Sequence, residues 1–330
     1  MCEQLFQELQ TSQNVEDRLR ALDMFRKGLR NRSDGKALAK ELIAFLDGGR
    51  DVRLGAWFKI DADGHVTLAP SLRTALLDEL GRASREDAAS YARRILEGSH
   101  IPEEWTLALR DWGLHLGTEA AQSSGEYKRW VVRHLERKEW LDTPTEGYLH
   151  GFDAGVYVGG AEVVSALANA HDQVKTKPVQ FAARMALDRI AMKDYVTVAS
   201  QLINDPQALA SAPVQRGLLL ARADPRSEQH MELVHSALTQ PRSKPEEAQT
   251  FLRTFPHADI VASPNLMTRN QYPLMGDIAR RDVEAHKQLD RFGQLISQEM
   301  KVEIESAKDR LRIMIRAAEK AGQIEPVNGN

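Results

Sequence analysis

The chain has 330 residues, 42% hydrophobic and 28% charged, a composition that fits a folded protein with one large core, two domains or an extended stack. Its 44 basic and 47 acidic residues leave a net charge of −3, so no global basic field is available to hold nucleic acid. The single cysteine, Cys2, excludes an intramolecular disulfide and a cysteine-rich zinc site, and no window approaches the roughly 20 apolar residues that a spanning helix needs.

The opening segment, Met1-Cys2-Glu3-Gln4-Leu5-Phe6, lacks a long apolar run, which predicts neither a Sec nor a lipoprotein signal. With one cysteine, the expectation is a cytoplasmic protein without membrane contact. Residues 1–69 read as a helical cap. Val15, Leu19, Leu22 and Phe25 form one apolar stripe, and Ala37, Leu38, Leu42, Phe45 and Leu46 form a second, ended by Gly48-Gly49. Between 56 and 69, two β-rich runs flank Asp61-Ala62-Asp63-Gly64, predicting a hairpin. The two aspartates do not form a calcium loop, because Gly64 comes at the fourth position rather than the sixth and no Glu follows at the twelfth. A winged-helix wing would need a basic recognition helix, and the preceding helix offers only Lys36 and Lys40.

From residue 70 to 258 the chain is punctuated by Pro70, Pro102, Pro144, Pro178, Pro213 and Pro245, spaced 32 to 42 residues apart. Proline suits the first helical turn, where its missing N–H costs nothing. Between the post-proline helices lie further helical segments that open on Ser84, Asp194 and Ser227, predicted N-caps. A helix pair restarted every thirty-odd residues marks an α-solenoid, whose units bury their apolar faces by stacking. Pro178-Val179-Gln180-Phe181-Ala182-Ala183-Arg184-Met185-Ala186-Leu187 resembles the second helix of a HEAT repeat. Asp51-Val52-Arg53 matches that family's opening, and Pro213-Val214-Gln215-Arg216-Gly217 is a weaker match. The resemblance implies an all-α, HEAT-like α–α superhelix over about 70–255. Two departures stand out: the 102–144 gap is longer than the others, and Gly147, Gly151 and Gly155 stripe one helix, implying close helix contact or a weak helix.

The region 274–322 reads as one long helix or a helix pair, after a loop marked by Ser263-Pro264 and Tyr272-Pro273. Leu289, Phe292, Ile296, Met300, Ile304, Ala307, Leu311, Met314 and Ala318 make its apolar stripe, which Gly293 could divide. Unbroken, 278–321 would be about 65 Å long and could cap the solenoid, pack back along it or self-associate. Residues 323–330 read as a disordered tail.

No phosphate-binding loop, dinucleotide fingerprint, His-Glu-x-x-His or nucleophile elbow occurs, so no catalytic residue, cofactor or metal site is assigned. His171-Asp172 resembles the pair of the all-α HD-type metal phosphohydrolases, with His134 or His150 and Asp224 as the completing ligands, but the residues after it depart from that family's turn. The most informative surface signal is aromatic and basic. Trp105, Trp112, Trp130 and Trp140 cluster, and Arg129, Arg133 and Arg137 recur every four residues on one helix face beside Trp130, a pattern that reads either as a core stripe with a solvated edge or as a ridge that binds an anionic or peptide partner. Gln180, Arg184, Arg216 and Arg222 are the polar residues expected to face a groove on the inner helices. The expected function is a non-enzymatic scaffold or adaptor for a protein or peptide. The alternatives are a nucleic-acid-binding HEAT-like protein resembling the DNA glycosylases on that scaffold, and the metal phosphohydrolase.

Overall fold

The computed structural model describes residues 1–174, 176–240, 243–259, 265–269, 275–295 and 300–325. The Ser263-Pro264 and Tyr272-Pro273 loop, Ile296 and the tail from 326 lie outside them. The described chain is mostly helical, with one two-stranded sheet. It divides into two compact units: unit 1 comprises 1–158, 176–182 and 264–269, and unit 2 comprises 159–175, 183–263 and 270–330.

Unit 1 opens with α1 (Cys2–Thr11), α2 (Val15–Arg30) and α3 (Gly35–Asp47). Asn14 and Asp34 cap α2 and α3 by accepting the N–H groups of Asp17 and Ala37. The hairpin follows as β1 (Lys59–Ile60) and β2 (Val66–Leu68), antiparallel. It is shorter than the 56–69 run predicts, because the register shifts between Lys59 and Ile60; Trp57 stays 77% exposed. The Asp61 carboxylate accepts the N–H groups of Asp63 and His65, a turn satisfied by its own backbone.

Next come α4 (Leu72–Ala83), α5 (Arg85–Gly98), α6 (Pro102–Leu116), α7 (Thr118–Ser123), α8 (Gly125–Leu135), α9 (Lys138–Asp142), α10 (Glu146–His150) and α11 (Phe152–Val158). Ser71, Ser84, Ser124 and Thr145 cap α4, α5, α8 and α10. The glycine stripe divides at Gly151, which separates α10 from α11. A Cβ on Gly147 would lie 2.4 Å from Glu103, and one on Gly151 would lie 2.1 Å from His134, so close contact is what these two glycines serve. Buried ion pairs seat the hairpin: Arg110 of α6 binds Asp78, Asp111 and the Gly64 carbonyl, and Arg26 of α2 binds Glu79 and the Thr67 carbonyl. Burial opposes the Asp78 charge, yet Arg110 holds its carboxyl well below the usual range. Asp153 of α11 accepts the N–H groups of Met267 and Thr268 and the Thr268 hydroxyl, tying a segment more than 100 residues away into this core.

Unit 2 contains α12 (Ala161–Gln173), the C-terminal part of α13 (Lys177–Lys193), α14 (Tyr195–Asn204), α15 (Pro213–Leu220), α16 (Glu228–Leu238) and α17 (Pro245–Thr254). Asp194 and Ser227 cap α14 and α16, and Pro213 and Pro245 occupy the first turns of α15 and α17, as their positions predict. Helices α12, α14 and α16 pack in series, as do α15, α17 and the last helix, α19 (Lys301–Lys320). Helix α18 (Met275–Leu295) runs through Gly293 and packs on α19, with a Lys308–Asp290 ion pair between them. Leu289, Phe292, Met300, Ile304, Ala307, Leu311 and Ala318 of the C-terminal stripe are buried. Among the described residues, no helix is long and apolar enough to cross a membrane.

Candidate functional site

Helix α8 puts Tyr127, Val131, His134 and Leu135 into the core of unit 1 and leaves Arg129 and Arg133 exposed, with Trp130 half-buried at the boundary. Trp130 packs edge-on against Trp105 at 5.4 Å, and Trp105 packs edge-on against Trp140 at 5.2 Å. Trp105 and Trp140 are buried, so these two tryptophans are core pieces rather than surface anchors. The arginines cover them. The Arg133 guanidinium sits 4.8 Å from the Trp130 ring, and that of Arg137 sits 4.4 Å from Trp140 and 5.2 Å from Trp105.

The even four-residue spacing does not place all three arginines on one helix. Helix α8 ends at Leu135, and Arg137 has extended backbone (φ −70°, ψ 107°) as it leads into α9. Arg137 reaches the same cluster from this turn, where its Nη2 donates to His100 Nδ1 at 2.8 Å and its Nε faces Glu139 at 3.5 Å. Among the described residues, neither Arg129 nor Arg133 makes an ion pair. The resulting ridge presents two uncompensated guanidinium groups, one stacked on a half-exposed indole. It can take an acidic or aromatic segment of a partner.

Below the ridge lies His134, with Nε2 3.1 Å from the Tyr148 carbonyl oxygen and its ring among Trp105, Trp140 and Tyr148. Burial pulls its pKa down to about 4, so the ring is neutral at physiological pH. His134 is thus a packed core histidine. His150, half-buried, packs on Phe58, and the Asp224 carboxylate is taken by Arg226. His171 Nδ1 lies 3.1 Å from Asp172, whose carboxylate accepts the Ser211 hydroxyl. Among the described residues, no three His, Cys, Asp or Glu side chains are grouped so that they could hold a metal.

Gln180 and Arg184 lie one turn apart on α13, Gln180 half-buried and Arg184 exposed. Arg184 lines a cavity of about 210 Å3 in unit 2 with Asp188, Gln215 and Arg222. Arg216 does not line an open surface. It is buried, its Nε pairs with Glu247 at 3.1 Å, and its two Nη groups donate to the Ala208 and Leu202 carbonyls. That consumes the whole guanidinium in holding α14, α15 and α17 together. Conversely, α18 brings Arg281 to the lining of a larger cavity. The sequence signal for it, the Arg280-Arg281 pair, sits inside a segment of balanced charge that reads as a solvated face. No family model, no curated protein and no solved structure matches this chain.

Proposed function

We propose that this chain is a non-enzymatic scaffold, a HEAT-like α–α superhelix that holds a protein or peptide partner on the ridge of Arg129, Trp130, Arg133 and Arg137. Serial packing of α12, α14 and α16, and of α15, α17 and α19, supports the helix-pair reading, because stacked repeats contact mainly their neighbours. The observation that carries the partner reading is Arg133 stacked on half-exposed Trp130 next to Arg129, with no carboxylate among the described residues paired to either arginine. Exposed arginines beside an indole at the surface are the composition of binding hot spots. The partner segment would bring carboxylates to the guanidinium edges and apolar surface to the indole.

The test is affinity purification from native cells with wild type and the Trp130→Ala/Arg133→Glu variant, whose helicity is first checked by circular dichroism. A protein retained in stoichiometric amount by wild type and lost from the variant is the expected outcome. Equal recovery with both, or co-purifying nucleic acid alone, overturns the assignment.

A further inference from the structure

Unit 2 holds a second polar site on different residues. A cavity of about 460 Å3 lies between the end of α13, the first turn of α14, the Arg222–Arg226 turn, His230 and the α18 residues Asp277 and Arg281. That volume suits a small polar molecule. Lys193 also lines the cavity and has a partner of its own, and the arginines and aspartates can be matched one by one. Arg222 is buried and spent: Nε and Nη2 grip the two Asp188 oxygens at 2.8 and 2.6 Å, and Nη1 donates to the His257 and Asp259 carbonyls. Arg226 is spent as well, held by Asp224 at 2.7 Å and Asp277 at 2.6 Å. Asp194 caps α14 through Thr197 N–H and the Thr197 hydroxyl. All three carboxylates of the lining therefore already have donors, which leaves no acidic site for a cation.

Arg281 is the exception. Its Nη2 donates to the Ala223 carbonyl at a long 3.3 Å, its buried Nε has no acceptor, and it makes no ion pair among the described residues. Burial lowers its pKa, Asp224 and Asp277 act against that, and Arg226 and Arg222 add to it. A guanidinium with an unfilled buried donor is costly unless an acceptor arrives. Beside it, His230 Nδ1 accepts the Asp224 N–H at 3.0 Å, so in the neutral ring Nε2 carries the proton and is a donor. The ring is braced against Tyr195 at 4.5 Å, and burial keeps it below its ordinary pKa.

We propose that this cavity binds an oxyanion, the phosphate group of a small molecule or free phosphate, with the Arg281 guanidinium as its principal partner and His230 as a second donor. Arg222 is neutralised by Asp188, whereas Arg226 shares Asp224 and Asp277, and the remaining negative charge of that trio offsets the charge of Arg281, so the oxyanion would be held by directed N–H donors rather than by a net positive field. The proposal does not rest on the ridge of unit 1 or on its partner.

Calorimetric titration of the full chain at constant ionic strength, first with inorganic phosphate and then with phosphoserine, glucose 6-phosphate and AMP, tests it. Saturable binding is expected, weakened about tenfold or more by Arg281→Gln and unchanged by substitution of the exposed Arg20 of α2, Arg20→Gln. Because Arg281→Gln removes a half-buried guanidinium whose Nε has no acceptor, the ligand-free variant should melt close to wild type, which separates loss of ligand from loss of fold. Arg281→Lys keeps the charge without the planar fork, so it serves as a second, milder variant expected to bind with intermediate affinity. Tighter binding of an organic phosphate than of inorganic phosphate identifies a small-molecule site; equal affinity identifies a free-phosphate site. Equal binding by wild type and Arg281→Gln, or no saturable binding of any of these compounds at millimolar concentration, overturns the assignment.

Discussion

Several side chains here have environments that reverse their usual roles. Arg216, expected to face a groove, is a buried post; Trp105 is a core plate roofed by Arg137. Asp282 of α18 is another such case. It is buried, and burial pushes its carboxyl up to about 6 although Arg310 and Arg281 lie near enough to oppose the rise. A carboxyl raised in the folded state contributes stability below its unfolded pKa and loses it as pH climbs through the folded value. Wild type should therefore lose stability relative to Asp282→Asn between about pH 4 and pH 7. In denaturant unfolding at pH 8, Asp282→Asn should be more stable by up to about 2–3 kcal/mol, and the two should be equal at pH 4. A difference that does not change with pH would mean that the carboxyl remains ionised throughout.

Among the elements, glycine shows how the same residue type serves opposite ends. Gly28 sits exposed near the end of α2, and a Cβ there would meet nothing within 4 Å. Gly151 sits at the α10–α11 break, where a Cβ would collide with the His134 ring and approach the Thr106 hydroxyl to 2.8 Å. Gly28→Ala should raise stability by about 0.5–1 kcal/mol, since it removes backbone entropy from the unfolded chain at no steric cost. Gly151→Ala should lower it by about 1–3 kcal/mol or more, because the packed histidine has nowhere to go. Paired urea midpoints measure both; a Gly151→Ala protein as stable as wild type would show that the α10–α11 break can relax. The C-terminal stripe teaches a related lesson. Its 3- and 4-residue spacing fits a single long helix as well as two shorter ones, and the pair α18 and α19 buries most of the stripe within unit 2.

For the molecule as a whole, the units are not continuous stretches of chain. Unit 1 draws on 264–269, and Asp153 is the group that receives it, with Met267 N–H at 2.7 Å and Thr268 N–H at 2.9 Å. Removing a buried carboxylate that satisfies several donors costs about 1–3 kcal/mol for each donor left unpaired. Asp153→Ala should therefore destabilise the full chain by about 2–4 kcal/mol, with a smaller loss in a fragment ending at residue 158, which lacks those donors already. Thermal and urea unfolding of the four proteins forms the cycle. Equal losses in both backgrounds would place the effect of Asp153 elsewhere.

The sequence by itself determined that the chain is mostly helical and where several helices start. Prolines at 102, 213 and 245, and cap residues Ser84, Asp194 and Ser227, act on the nearest turn of backbone, so their effect is local and legible. Within the ridge, the sequence placed Arg129, Trp130 and Arg133 together because they share α8. Tertiary structure decided the rest. Whether an arginine faces solvent, an indole or a carboxylate depends on what other elements bring to it: Glu247 to Arg216, Trp140 to Arg137, and, among the described residues, no acceptor to Arg281 Nε. Those partners lie up to dozens of residues away, and loop closure over such distances is set by packing of the whole core, which no local pattern encodes.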